Sequence, residues 1–257
     1  MQSQPTLETS TSSPVSAAPK SAAKIVAKKR ERLFYSGMAA AIFLVVFAGF
    51  APTYYLRPYF TPTALPALLH VHGVVFSAWL VLFVTQTFLV AANRVRLHRR
   101  LGMAGAWLAA VMVVVGAVTA VVRAKEGAAP PGIDPLAFLI VPIGDILVFP
   151  TIVAAGIYYR RRPDVHKRLM LVAMIGILGA AFARLPVVGG LGPIAFFGLT
   201  DLMLVAVAVH DFATLGRVHR ATLLGGLLVA VSHPVRLLIG ATPVWMAFAK
   251  WMTGFVG

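Results

Sequence analysis

The chain has no cysteine among its 257 residues. That absence excludes disulfides, thiolate metal sites, iron–sulfur clusters, cysteine nucleophiles and covalent haem attachment through C-x-x-C-H. Charge is also scarce: Asp, Glu, Lys and Arg together make up 12% of the chain, and only 8 residues are acidic against 23 Lys+Arg. Also absent are the Walker loop, H-E-x-x-H and G-x-S-x-G, which removes the commonest nucleotide, zinc-protease and hydrolase chemistries. No lysine falls in the interior of an apolar run, which argues against a retinal Schiff base, and no run is studded with arginine as a voltage sensor would be.

What is present is apolar: 59% of residues are hydrophobic and the mean hydropathy is +0.85, the composition of a polytopic membrane protein. Seven runs of about 20 residues or more, each enough to cross a ~30 Å hydrocarbon core as a helix, fall near 33–52, 64–91, 101–122, 135–158, 167–186, 193–213 and 219–240. The expected fold is all-α, a bundle of seven transmembrane helices over 33–243. Residues 1–32 are expected to form a disordered basic tail, rich in Ser, Ala, Pro and Thr, and not a secretory signal peptide, because the first apolar run starts late and is long enough to span. The end, 244–257, holds Trp245, Lys250 and Trp251 and is expected to lie as a short amphipathic segment at the interface.

The net charge of +15 does not point to nucleic acid, because the basic residues fall at the ends of apolar runs. Six lie in the tail. Others are Arg94, Arg96, Arg99 and Arg100 after the second run, Arg160, Arg161, Arg162, Lys167 and Arg168 after the fourth, and Arg217 and Arg220 after the sixth. These sites fall on one side and hold 17 of the 23 basic residues. The positive-inside rule then places the N-terminus in the cytoplasm and the C-terminus outside, with anionic lipid as the partner of the cytoplasmic face. The expected location is a bacterial inner membrane.

Three stretches repeat a pattern of apolar, His, basic, then apolar: LHRRLGMAG (97–105), VHKRLMLVA (165–173) and VHRATLLGG (218–226). Each opens a run leaving the basic face. A His–basic pair there acts by default as an anchor to lipid phosphate.

Ionisable residues inside the runs need partners or purposes. Toward the outer face are His70, His72, Asp145, Arg184, Asp201, His233 and Arg236; toward the basic face are His98, His166, His210 and His219, with Asp211 beside His210. Two histidine layers suit haem b, which histidines on facing helices can ligate. His70 and His72 point about 200° apart on a helix, so they cannot share one metal there. His72 shares a stripe with Trp79 and Gln86, spaced by seven. The expected axial pair for an outer haem iron is therefore His72 with His233, and His210 is the inner candidate. Arg184 and Arg236 would hold propionates, and Asp145 and Asp201 would relay protons. The alternative reading of the same groups is interhelical hydrogen bonding and ion pairing, Asp145 with Arg184 or Asp201 with Arg236.

LHVHGVVFSAW (69–79), LHRRLG, VHKRLM and HDFATLGRVHRATLLG (210–225) together resemble a group of uncharacterised bacterial seven-helix membrane proteins with repeated H-R-x-L-G turns, over roughly residues 33–240. More distantly, the layered histidines are similar to those of two-haem transmembrane cytochromes b of the ascorbate-reducible and ferric-reductase types, although the regular ligand spacing of those proteins is not reproduced. The leading expectation, resting on the histidine layers and compatible with the absence of cysteine, is non-covalent haem b and electron transfer within or across the bilayer, with quinol a candidate donor. Two other classes fit the same residues: a proton-coupled small-molecule transporter or binder, in which the outer cluster forms a cavity, and a non-catalytic scaffold subunit, in which the polar residues pair off and leave none.

Overall fold

The computed structural model describes residues 18–255, which are mostly helical with no strand among them. Seven helical stretches are long and apolar enough to cross a membrane: Ile25–Tyr55, Ala67–Ala91, Val95–Lys125, Pro135–Tyr158, Pro163–Phe182, Pro193–Leu215 and Arg220–Gly240. Large apolar side chains face outward all round the bundle, among them Leu44, Val74, Val114, Leu147, Leu202 and Leu238. Only lipid can cover such a surface. The protein is a multi-pass helical membrane protein.

α1 (Ala18–Phe50) begins well before the expected first span and carries the basic run Lys28–Arg32 within its helix; residues 1–17 of the expected tail lie outside the described residues. This stretch has tertiary partners. Lys167 Nζ lies 2.5 Å from Glu31 Oε1, and Arg32 donates to Asn93 Oδ1 in the tight turn after α2, where Asn93 holds a φ of 59°. α1 ends in a wide turn, Ala51–Tyr55, and a short one, Arg57–Tyr59. α2 (Ala67–Ala91) and α3 (Val95–Lys125) form an antiparallel hairpin.

The fourth span is broken into α4 (Pro135–Phe138) and α5 (Ile140–Tyr158). Asp134 starts α4 by accepting from Leu136 N at 2.8 Å and Ala137 N at 3.0 Å, with Pro135 at the first position, where its missing N–H costs nothing. The fifth span is broken too. α6 (Pro163–Gly176) stops, Ile177 and Leu178 make a turn, and α7 (Gly179–Phe182) continues. α8 (Pro186–Gly190) follows, then α9 (Pro193–Leu215), closed by Gly216 at a φ of 69°. α10 (Arg220–Gly240) is capped by His219, whose Nδ1 accepts from Ala221 N at 3.1 Å.

α6 is the central helix. Its span is 67% buried, more than any other, and Leu171, Val172 and Ile175 are fully enclosed. α5 packs on one side of it, and α10 lies against both. The final helix, α11 (Pro243–Gly254), is not a free interfacial segment. Trp245 is buried and donates Nε1–H to Leu136 O at 2.8 Å, docking α11 on α4, while Trp251 and Phe248 face outward.

Candidate functional site: an arginine-lined cavity

At the end of the bundle opposite the basic loops, α1, α2, α3, α5, the α6–α7 break and the start of α9 enclose a cavity of about 710 Å³. Small residues make the geometry possible. A Cβ on Gly49 would sit 2.3 Å from Ala181 O, so only glycine lets α1 approach α7 at the rim. A Cβ on Gly73 would fall 2.2 Å from the Tyr54 ring, which therefore lies flat on α2. Aromatic and aliphatic side chains, Phe76, Trp79, Leu80, Phe149 and Phe196, form much of the wall. Its polar groups include Arg57, His72, Ser77, Thr119, Arg123, Asp145 and Arg184.

The H-x-H pair divides as its spacing requires. His72 enters the cavity wall with its ring stacked on Phe76 at 4.1 Å. Its Nδ1 is buried without a partner. His70 is exposed; its carbonyl accepts from the Tyr54 hydroxyl at 3.4 Å and its ring lies 6.1 Å from the Tyr54 ring. His233 does not join His72. It is 3% exposed, stacks on Phe197 at 4.1 Å, and sets Nδ1 3.0 Å from Asp201 Oδ1. Phe197 lines the cavity, so His233 stands in the layer behind it.

The ion pairs differ from those expected. Arg236 joins Asp145, Nη1 to Oδ1 at 2.5 Å, and also donates to Val141 O at 3.2 Å and Ser232 Oγ at 3.0 Å. Asp201 lies beside His233 without a hydrogen bond between them. The reason is helical phase. His233 and Arg236 are three apart on one face of α10, and α10 contacts both α5 and α9, so the arginine meets α5's Asp145 and the histidine meets α9's Asp201. Gly144 admits the arginine: a Cβ there would lie 2.1 Å from its Nε. Arg236 commits Nη1 and Nη2 to Asp145, Val141 and Ser232, while its Nε is buried without a partner.

Arg184 is different. It follows α7, donates Nη1 to Ala180 O at 2.7 Å, and sits over the Phe50 ring at 4.4 Å. Among the described residues it has no carboxylate partner. Arg123, at the end of α3, shares the cavity wall and is close enough for the two positive charges to repel. Arg123 pairs with Glu126. Arg184's charge also reaches His72.

On the basic side, His210 stacks on Phe34 at 3.6 Å, covering the α1–α9 contact rather than facing another histidine. Its neighbour Asp211 is fully buried and accepts from Arg168 Nε at 2.8 Å, Arg168 Nη2 at 2.5 Å and Thr222 Oγ1 at 2.5 Å. The repeat histidines serve three tasks. His98 and His166 lie edge to face with centroids 6.1 Å apart, His166 Nδ1 meets Gly156 O at 2.8 Å, and His219 caps α10. Among the described residues no group of three or more His, Cys, Asp or Glu is placed to hold a metal ion.

Two residues that matter were read from sequence only as topology signals or not singled out: Arg168, counted as part of a basic loop, and Arg123. A signal for Arg123 was available. Six basic residues lie off the basic side: Arg57, Arg123, Lys125, Arg184, Arg236 and Lys250. Three of these exceptions line the cavity.

No family model, curated protein or solved structure matches the chain.

Proposed function

We propose that the protein lies in a bacterial inner membrane with its N-terminus in the cytoplasm, and that it binds a small molecule in the cavity, within the outer half of the bilayer. The cavity carries this reading. At about 710 Å³ it falls in the size range of ligand pockets, and it combines an apolar wall with a few convergent polar groups. A scaffold whose polar residues only glue helices together gives no reason for such a volume beside unpaired polar groups. The acids are not the carrying feature: Asp145 is paired with Arg236, and Asp201 lies beside His233, behind the cavity wall.

Haem b is the second reading, supported by the partnerless His72 ring in the wall. His72 would hold its iron, and Arg184 with Arg123 would meet its propionates. Such a group would supply one-electron chemistry. The bis-histidine site expected from sequence does not fit, since His233 is held behind Phe197. For the same reason electron transfer, with quinol as donor, belongs to this second reading alone.

Native mass spectrometry and an absorption spectrum of one gently solubilised preparation test both readings. A ligand mass on the wild type that is absent from Gly116→Leu is the expected result, because Gly116 lines the cavity and a larger side chain there grows toward Phe76 and Ile146. A Soret band lost in His72→Ala would establish the haem reading. Equal, ligand-free masses for both proteins, after exposure to membrane extract, would move the scaffold reading to the front.

A further inference from the structure

Resting on the binding reading above, we infer that the cavity's ligand is an amphiphilic anion, with a carboxylate or phosphate head held by Arg184 and Arg123 and an apolar body against Phe76, Leu80 and Phe149. The reasoning begins with a charge imbalance. Arg184 is exposed and faces a cavity with a largely apolar wall, and a guanidinium so placed favours a counter-charge or a full set of acceptors. Arg184 has five N–H donors, yet its protein hydrogen bond is to Ala180 O, and its other contact is the Phe50 ring. Arg123 lies near enough to repel it, and Arg57 joins the same lining. Against these three arginines, Asp145 is already neutralised by Arg236, and Glu126 pairs with Arg123. An anion between Arg184 and Arg123 relieves the repulsion and fills the empty donor positions. A guanidinium fork matches the paired oxygens of a carboxylate or phosphate.

The rest of the wall selects the body of the molecule. Below the arginines it is dominated by aromatic and aliphatic side chains, so a fully hydrated inorganic anion would leave most of it uncovered. His72, which makes no protein hydrogen bond and feels Arg184's charge, offers one further polar contact beside the head. The head can belong to a membrane lipid or to a free amphiphile; the chemistry recognised is the same.

The chain lacks cysteine, so a single reporter can be added at Ala180, which is exposed and lines the cavity. Ala180→Cys protein is placed in nanodiscs of phosphatidylcholine, and its rate of reaction with a hydrophilic maleimide is measured against dodecyl phosphate, dodecanol and inorganic phosphate. A second set of discs contains phosphatidylglycerol. Slowing by dodecyl phosphate but not by dodecanol or inorganic phosphate is expected. The half-effective concentration should rise roughly tenfold or more in Arg184→Gln and by less in Arg184→Lys. Arg123→Gln provides an independent check should Arg184→Gln fail to insert. Slowing in phosphatidylglycerol discs without any additive assigns the head to a lipid, and slowing by dodecyl phosphate alone assigns it to a free amphiphile. Equal slowing by dodecanol, equal slowing by inorganic phosphate, or labelling that no probe slows would each overturn the inference while leaving the cavity standing. No labelling at all would instead remove the cavity reading on which it rests.

Discussion

At the scale of single residues, two arginines hold carboxylates within the bundle and one cavity arginine has no carboxylate partner among the described residues. Arg168 and Arg236 are the first two, and substitutions that break their pairs should register as stability. Gly144→Ala puts a Cβ 2.1 Å from Arg236 Nε, forcing the guanidinium off Asp145. Parting a buried pair costs about 3–5 kcal/mol, so a clear fall in the detergent unfolding temperature is expected; an unchanged value would mean that Arg236 holds its place by other contacts. Asp211→Asn should cost a similar amount, about 3–5 kcal/mol, because it strands Arg168 among α6, α9 and α10. The double variant Asp211→Leu with Arg168→Met should recover most of that loss, since an apolar pair of similar size often matches a buried ion pair. Urea or thermal titration of the three proteins decides it. Arg184 is the contrast. Its neutral variant removes no ion pair among the described residues, so Arg184→Gln should unfold within about 1 kcal/mol of wild type while changing what the cavity accepts.

At the scale of elements, the seven spans were legible because a helix in lipid must be apolar over a fixed length, and the periodic signal of His72, Trp79 and Gln86 correctly gave the inward face of α2. What could not be read was helix phase between neighbours. Whether Asp145 meets Arg184 or Arg236 depends on how far α10 is rotated against α5, which no spacing within one helix fixes. The breaks within the fourth and fifth spans were equally hidden, although they place Arg184 on a turn beyond α7 rather than within a straight helix. Close backbone contacts at such breaks set the width of the cavity. Gly49→Val drives a side chain into Ala181 O and should push α1 away from α7, changing the maleimide reaction rate at Ala180→Cys severalfold. Gly37→Val, on the same helix with nothing within 4 Å of its added Cβ, should leave that rate unaltered. Equal effects from both would show that the rim is not set by this contact.

At the scale of the whole molecule, the basic residues do two things at once. Seventeen gather at one end of the bundle, the end that the positive-inside rule assigns to the cytoplasm in the proposed orientation. Of the remaining six, Arg57, Arg123 and Arg184 converge on the cavity at the other end. The positive-inside bias disfavours such exceptions, so their position asks for a cause beyond topology, and an anionic ligand supplies one. The two ends therefore predict opposite chemical access. In intact cells, an impermeant maleimide added outside should label Ala128→Cys, beside the cavity mouth and Arg123. It should label Leu215→Cys, at the exposed end of α9 near Arg217, only after the membrane is permeabilised. The reverse pattern would place the arginine-lined cavity on the cytoplasmic side. The anion could then come only from the cell interior or the inner leaflet, and the positive-inside reading of the 17 basic residues would have to be abandoned with it.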